Sequence, residues 1–153
     1  MMMLAYLGLR RSELCSLTGK SIGDERGTAT LKVLGKGSKV RILPLPDNVL
    51  FALHSIPRAS SIKECQLLVR PKNKTLKPDH VYYAVKKIAQ RVGVTKNITP
   101  HSFRATFVSN AIDQGCNPMQ VQYACGWSDT KQITRYDKRR SEIHKSAVWK
   151  IAY

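Results

Sequence analysis

Five short segments of this 153-residue chain hold side chains that can do chemistry. They are Gly8-Leu9-Arg10-Arg11-Ser12-Glu13-Leu14, Gly35-Lys36-Gly37-Ser38-Lys39, Thr99-Pro100-His101-Ser102-Phe103-Arg104, Cys125-Gly126-Trp127-Ser128-Asp129 and Ile133-Thr134-Arg135-Tyr136-Asp137. Two arginines, a lysine, a histidine and a late tyrosine are the parts needed to attack a phosphodiester. The arginines hold the phosphate and offset its charge. The tyrosine supplies a nucleophilic oxygen, and the lysine and histidine move protons.

Taken one at a time, these residues have plainer readings. His101 and Arg104 alone describe a capped helix with surface polar groups. Arg10 or Arg11 alone is a surface arginine paired with Glu13, and spacing does not choose between the two. Lys36 alone is a solvated turn lysine. Trp127 is a core or edge aromatic, and Tyr136 a packing residue with a wet hydroxyl. His54, His80 and His144 show no partner pattern and receive no role. The ordered set is far more specific than any member of it.

Elements that can position the set are legible around it. Residues 1 to 9 read as a helix ending at Gly8, and a short second helix starts at the N-cap Ser12, with Glu13 in its first turn. Residues 28 to 34 and 40 to 45 alternate and are rich in β-formers. Gly35-Lys36-Gly37-Ser38-Lys39 joins them as a hairpin turn. Lys32, Lys39 and Arg41 make that hairpin a candidate DNA-touching ribbon. A helix is expected over 47 to 56, irregular chain over 57 to 78, and a helix capped by Asp79 running to about Val92. Thr99-Pro100 opens the next helix, and Asn117-Pro118 opens another that Gly126 closes. His101 and Arg104, three apart, face the same way at a helix N-terminus, which suits a phosphate. Tyr136 follows on a short helix or loop. The tail from Ser141 to Tyr153 is expected to be helical. The fold class is α+β, mostly helical with a small antiparallel hairpin or sheet, and the length is that of one domain.

Twenty-six Lys and Arg against ten Asp and Glu leave a net charge of +16. An excess of that size favours a polyanionic partner, most often nucleic acid. No stretch is apolar and long enough to span a bilayer. The opening Met1-Met2-Met3-Leu4-Ala5-Tyr6-Leu7 is too short for a signal peptide. Cys15, Cys65, Cys116 and Cys125 lack metal-ligand spacing and read as reduced, mostly packed thiols of a cytosolic protein.

In this order the five segments, with Val40-Arg41-Ile42-Leu43-Pro44-Leu45 completing the second, resemble the catalytic domain of the tyrosine recombinases, the phage-integrase and Xer-like family. The likeness spans about residues 4 to 140. It implies that Arg10 is the first catalytic arginine, Lys36 the hairpin lysine, His101 and Arg104 the second motif, and Tyr136 the nucleophile. Lys39, Arg41, Arg11 and Arg135 are expected DNA contacts. Trp127 stands where most members carry a second histidine; its indole N–H can donate to a phosphate oxygen but cannot shuttle a proton. The family usually has an acidic residue about where Lys20 or Ser21 stands. Such proteins normally carry a core-binding domain ahead of the first arginine. Residues 1–153 are therefore expected to be a catalytic domain without that partner and without its own first residues, and residues 141–153 an exchange tail that packs on a neighbouring protomer.

The implied reaction is site-specific DNA cleavage and rejoining through a 3′-phosphotyrosyl link, with no cofactor or metal. Clustered cations favour the phenolate as its proton leaves. The expected partner is double-stranded DNA bearing a specific site, with no membrane. The chain alone is expected to be a monomer, and the full-length protein a tetramer on DNA, in the cytoplasm with the nucleoid. Competing readings are a type IB topoisomerase, a truncated integrase that only binds DNA, and a basic RNA-binding protein.

Overall fold

Gly8 stops the first helix. α1 spans Met2–Leu7, and Gly8 caps it in the left-handed region at φ 58°, ψ 27°. This computed structural model describes residues 1–56 and 65–135, and for Lys36, Thr130, Thr134 and Arg135 the backbone only. α2 follows at Arg11–Ser16. It starts ahead of the expected Ser12 cap because Glu13 folds back and accepts from the Arg10 backbone N–H at 2.8 Å.

Three antiparallel strands come next: β1 (Ile22–Glu25), β2 (Thr28–Leu34) and β3 (Val40–Pro44), in that order across the sheet. β2 and β3 match the alternation in the sequence. Leu31 and Val33 are fully buried while Lys32 and Leu34 face out. β1 has no such pattern. It forms because Arg26 and Gly27, both at positive φ, make a two-residue turn that lays Glu25 against Thr28. Lys36–Ser38 forms a 3₁₀ turn between β2 and β3.

α3 covers Asp47–His54. Within the stretch expected to be irregular, β4 (Val69–Arg70) and β5 (Lys74–Thr75) pair as a minimal hairpin. The side chain of Gln66 ties it down, donating to Leu76 O and accepting from Leu76 N–H. α4 spans Pro78–Arg91 with Lys77 rather than Asp79 at its N-cap, and His80 Nδ1 accepts from the Lys77 N–H. α5 (Pro100–Asp113) and α6 (Pro118–Cys125) open on the expected Thr99 and Asn117 caps, each followed by proline. A 3₁₀ helix over Thr130–Arg135 ends the described chain.

Two apolar clusters hold these elements. The larger joins α1, α2, the sheet, α3 and α4 through Leu4, Leu9, Leu17, Leu31, Val49 and Val85. The smaller joins α5, α6 and the last 3₁₀ helix through Val108, Ile112, Val121, Cys125, Trp127 and Ile133. α1 packs along α5 and bridges them. Of the cysteines only Cys125 is buried; Cys15 is partly covered, and Cys65 and Cys116 are exposed, contrary to the expectation of mostly packed thiols. Among the described residues no helix is long and apolar enough to cross a membrane.

The α1–α5 contact is close enough to be tested at a glycine. A Cβ built on Gly8 would sit 2.5 Å from Phe107 Cδ1, whereas one on Gly27, at φ 79°, meets nothing within 4 Å. Gly27→Ala should therefore cost only backbone strain, about 1–2 kcal/mol. Gly8→Ala should add overpacking of about 1–3 kcal/mol. Urea unfolding should rank Gly8→Ala below Gly27→Ala and both below the unaltered chain. Equal losses would mean that Phe107 yields without cost.

Candidate active site

The site forms where α6 ends. The last carbonyls of a helix have no partner within it and carry its negative dipole end. Here three consecutive ones each accept from a different arginine. Ala124 O accepts from Arg41 Nε at 3.0 Å, Cys125 O from Arg104 Nη2, and Gly126 O from Arg10 Nη2 at 3.2 Å. Arg104 also donates to Gly8 O, so the glycine that ends α1 helps to seat it.

Glu13 anchors two of the three arginines. Its side chain is only 4% exposed and meets Arg41 Nη1 and Nη2 at 3.0 and 2.9 Å and Arg10 Nη1 at 2.8 Å. Burial pushes its carboxyl upward, but hydrogen bonds from Arg41 and the Arg10 amide, with the attraction of the Arg41 charge, outweigh that. The net result holds it below its ordinary 4.5. Burial draws the Arg104 guanidinium below its ordinary pKa, although a guanidinium stays cationic at any physiological pH. Burial also raises the Cys125 thiol above 9.0 despite the neighbouring Arg104 and Arg41, which leaves it a neutral packing group near neutrality.

A cleft of about 520 Å³ opens beside this cluster, lined by Arg10, Gly35, Lys39, Tyr123, Trp127 and Gln132 among others. Arg10, 35% exposed at its side chain, presents its guanidinium there. Three arginines against one carboxylate leave a surplus of positive charge beside a partly desolvated wall. That arrangement suits a phosphodiester and the extra charge it gains on attack.

The structure separates Arg10 from its neighbour. Arg10 lines the cleft, whereas Arg11 turns toward α4 and meets Asp79 at 3.4 Å. Arg104 is 3% exposed, with its guanidinium 5.1 Å from the centre of the Trp127 ring. Trp127 is itself buried and lines the cleft. His101 lies in the first turn of α5 and is exposed, so it and Arg104 share a helix but not a degree of burial. Lys39 is exposed at the cleft rim. Lys36 sits on the 3₁₀ turn flanked by two residues of the lining, Gly35 and Lys39, and its side chain lies outside the description. Arg135 ends the last 3₁₀ helix and is described by its backbone alone. Tyr136 and the tail 141–153 lie outside the described residues.

Arg41 departs from the expectation of a DNA contact on the hairpin surface. It is 5% exposed, and its guanidinium is taken up by Glu13 and Ala124 O. The period of a strand gives the reason: Arg41 shares its face with buried Leu43, while Val40 and Ile42 point outward. That alternation was a readable signal. Glu13 was legible as a helix-dipole partner and as a surface partner of Arg10, but not as a buried acid, because Arg41, its other partner, lies across the fold. The site's buried acid is therefore Glu13, at the first motif and not near Lys20 or Ser21.

The phage integrase family model matches residues 1–142. The tyrosine recombinase XerA of Thermococcus kodakarensis is 29% identical over 140 residues, covering 90% of this chain and 49% of that protein. The tyrosine recombinase XerD of Staphylococcus saprophyticus is 30% identical over 155 residues, covering 97% of this chain and 50% of that protein. The chain thus spans about half the length of the curated relatives it matches. Among solved structures, a crystal structure of XerA recombinase superposes with a TM-score of 0.79 at 20% identity, over 99% of this chain and 56% of that one. XerH recombinase bound to palindromic difH substrate, in a post-cleavage complex, gives 0.75 at 23% identity, over 97% and 44%. At those identities the likeness is one of fold: a mostly helical domain with a small antiparallel sheet.

A carboxylate held below its ordinary value stabilises the fold fully above that value. Its contribution is lost as pH falls through the lowered one. Glu13 should therefore make stability fall as pH drops below about 4.5. Glu13→Gln strands two arginines and should cost about 3–5 kcal/mol at neutral pH. Urea unfolding between pH 7 and 3 should give a shallower acid slope for that variant. Parallel curves would show that other carboxylates carry the acid sensitivity.

Proposed function

The chain belongs to the phage integrase family, and from that premise we propose that it is the catalytic part of a tyrosine recombinase. The supporting observation is the convergence of Arg10 and Arg104, far apart in sequence, on adjacent carbonyls at the end of α6, beside the lysine-bearing hairpin turn. The last described element, which packs on α6, ends at Arg135, and Tyr136 is the next residue in the sequence.

In the proposed reaction the Tyr136 hydroxyl oxygen attacks a DNA phosphorus. The bond from phosphorus to the 5′-oxygen breaks, and a 3′-phosphotyrosyl link forms in its place. Lys36 gives a proton to the departing 5′-oxygen. His101 assists removal of the tyrosine proton or donates to the phosphate. Arg10 and Arg104 offset the charge that grows on the phosphate, with Trp127 holding Arg104 from its ring face. The arginines supply positive charge of the kind a metal ion supplies elsewhere. Rejoining reverses the first step: a 5′-hydroxyl of a second strand attacks the link and releases the tyrosine. Lys39, Arg11 and Arg135 are proposed contacts to the DNA backbone, while Arg41 works from inside the fold.

The proposed partner is double-stranded DNA with a specific recombination site, and the proposed setting is the nucleoid. XerH bound to difH substrate, in pre- and post-cleavage complexes, supports DNA as the partner class. A monomer off DNA and a tetramer of the full-length protein on DNA complete the reading.

Covalent trapping tests it. Nicked duplexes are mixed with the protein, denatured, and searched for protein-linked strands. Adducts should sit on DNA 3′ ends and vanish in Tyr136→Phe, while salt-sensitive DNA binding persists. Adducts that survive Tyr136→Phe would remove the nucleophile. Binding without any adduct would leave a DNA-binding protein, and relaxation of supercoils without strand exchange would favour the topoisomerase reading. Arg10→Ala should slow adduct formation by about 10²–10³-fold, as loss of one charge-stabilising donor does elsewhere. Lys36→Ala should slow it too, with recovery on DNA carrying a better 5′-leaving group. Failure to recover would show that Lys36 is not the acid.

A further inference from the structure

Two adjacent residues of β3 bind two adjacent residues of α6 in a reciprocal pattern. The side chain of Arg41 donates through Nε to the backbone O of Ala124 at 3.0 Å. The backbone N–H of Ile42 donates to the side-chain hydroxyl of Tyr123 at 3.1 Å. β3 is the edge of the sheet, so the Ile42 amide has no strand on that side, and the tyrosine hydroxyl takes the place of one. Gly126 makes the approach feasible: a Cβ there would lie 2.7 Å from Arg41 Nη1.

We propose that Tyr123 and Arg41 form a positioning pair that ties the lysine-bearing hairpin to the C-terminal end of α6. The inference rests on the functional reading above. The hairpin carries Lys36 on a turn closed by the Gly35 N–H donating to Lys39 O at 2.8 Å. α6 leads through Trp127 into the 3₁₀ helix that precedes Tyr136, and α6 packs on that helix. The turn that carries Lys36 and the 3₁₀ helix thus belong to separate units, and the described contacts between β3 and α6 join them. Arg41 adds a third tie, because the Glu13 it holds also holds Arg10. Neither residue of the pair needs to touch the phosphate for this role.

A positioning role for the acid's turn has a signature that a general loss of structure lacks. If the pair keeps Lys36 in place, its loss should matter only when the leaving 5′-oxygen needs a proton. The rate of adduct formation is therefore compared on two nicked duplexes, one ordinary and one with sulfur replacing the bridging 5′-oxygen, which leaves without an acid. Tyr123 is 55% exposed, so Tyr123→Phe removes the hydroxyl without opening the core. It should slow the ordinary duplex by about 3- to 10-fold and the sulfur duplex by less than about 2-fold, a fraction of what a positioned acid contributes. Arg41→Lys keeps the charge opposite Glu13 but loses the fork, and should show the same asymmetry at about 10- to 100-fold. DNA affinity should be unchanged in both. Equal slowing on the two duplexes, no slowing by Tyr123→Phe, or a loss of affinity as large as the loss of rate would overturn the proposal. If Arg41→Lys does not fold, the Tyr123→Phe result alone decides. An unaltered protein that yields no Tyr136-dependent adduct on either duplex would remove the functional reading itself, and the pair's role with it.

Discussion

The buried carboxylate of Glu13 is the constraint on which the site depends. Two guanidiniums at its oxygens would repel one another if it were absent, and a lone carboxylate so buried would not stay ionised. Each charge is tolerable only because the others are there. The group is also drawn from two separate stretches: Arg10 and Glu13 flank the start of α2, and Arg41 comes from β3. Ionic pairing inside the fold therefore fixes where the helix start and the hairpin meet. With Glu13 and Arg41 only 4% and 5% exposed, the fold excludes the water that would otherwise screen the pairing.

Much of the framework that delivers these groups was legible in the sequence, because it rests on local chemistry. Thr99-Pro100 and Asn117-Pro118 announce helix starts, since a capping oxygen followed by a residue with no N–H answers the needs of a first turn. Gly8 and Gly126 announce helix ends, and both do adopt the left-handed conformation. The β2–β3 hairpin follows from alternation around a glycine-rich turn. Arg10, Arg104 and Trp127 were legible as a set through their order along the chain, and the described residues bring all three to one corner.

What escaped the sequence depends on distant partners. β1 has the unpromising run Ile22-Gly23-Asp24-Glu25, and it is a strand only because β2 offers it a ladder. Lys77 caps α4 because His80 happens to turn back to its amide, an arrangement that composition does not favour over Asp79. Arg41 looked like one more cation on a basic hairpin. Its inward face follows from strand alternation, but its burial is acceptable only with Glu13 opposite, and no local window contains both. Spacing left Arg10 and Arg11 open in the same way, and only the resemblance to a family chose Arg10. Adjacent residues leave a chain in different directions, and only the placement of α4 and α6 tells which direction holds the cleft.

The way the arginines are held explains how the site keeps its charge. An arginine can be fixed by a carboxylate or by a carbonyl. A carboxylate fixes it and cancels it; a carbonyl fixes it and leaves it positive. Here one carboxylate holds two of the three arginines, and the remaining restraint comes from neutral oxygens at the end of α6 and from Gly8. The helix terminus supplies those oxygens in a fixed row and with a favourable dipole, so the cost of holding like charges together falls on the fold before any ligand arrives. The surplus charge is thus preorganised, which is the form in which it stabilises a developing anion most effectively. The chain's overall +16 acts differently, over longer range and subject to salt. It can draw a polyanion toward the domain, but it cannot choose a phosphate. That choice requires a few cations whose positions do not relax, and the end of α6 is where this fold provides them.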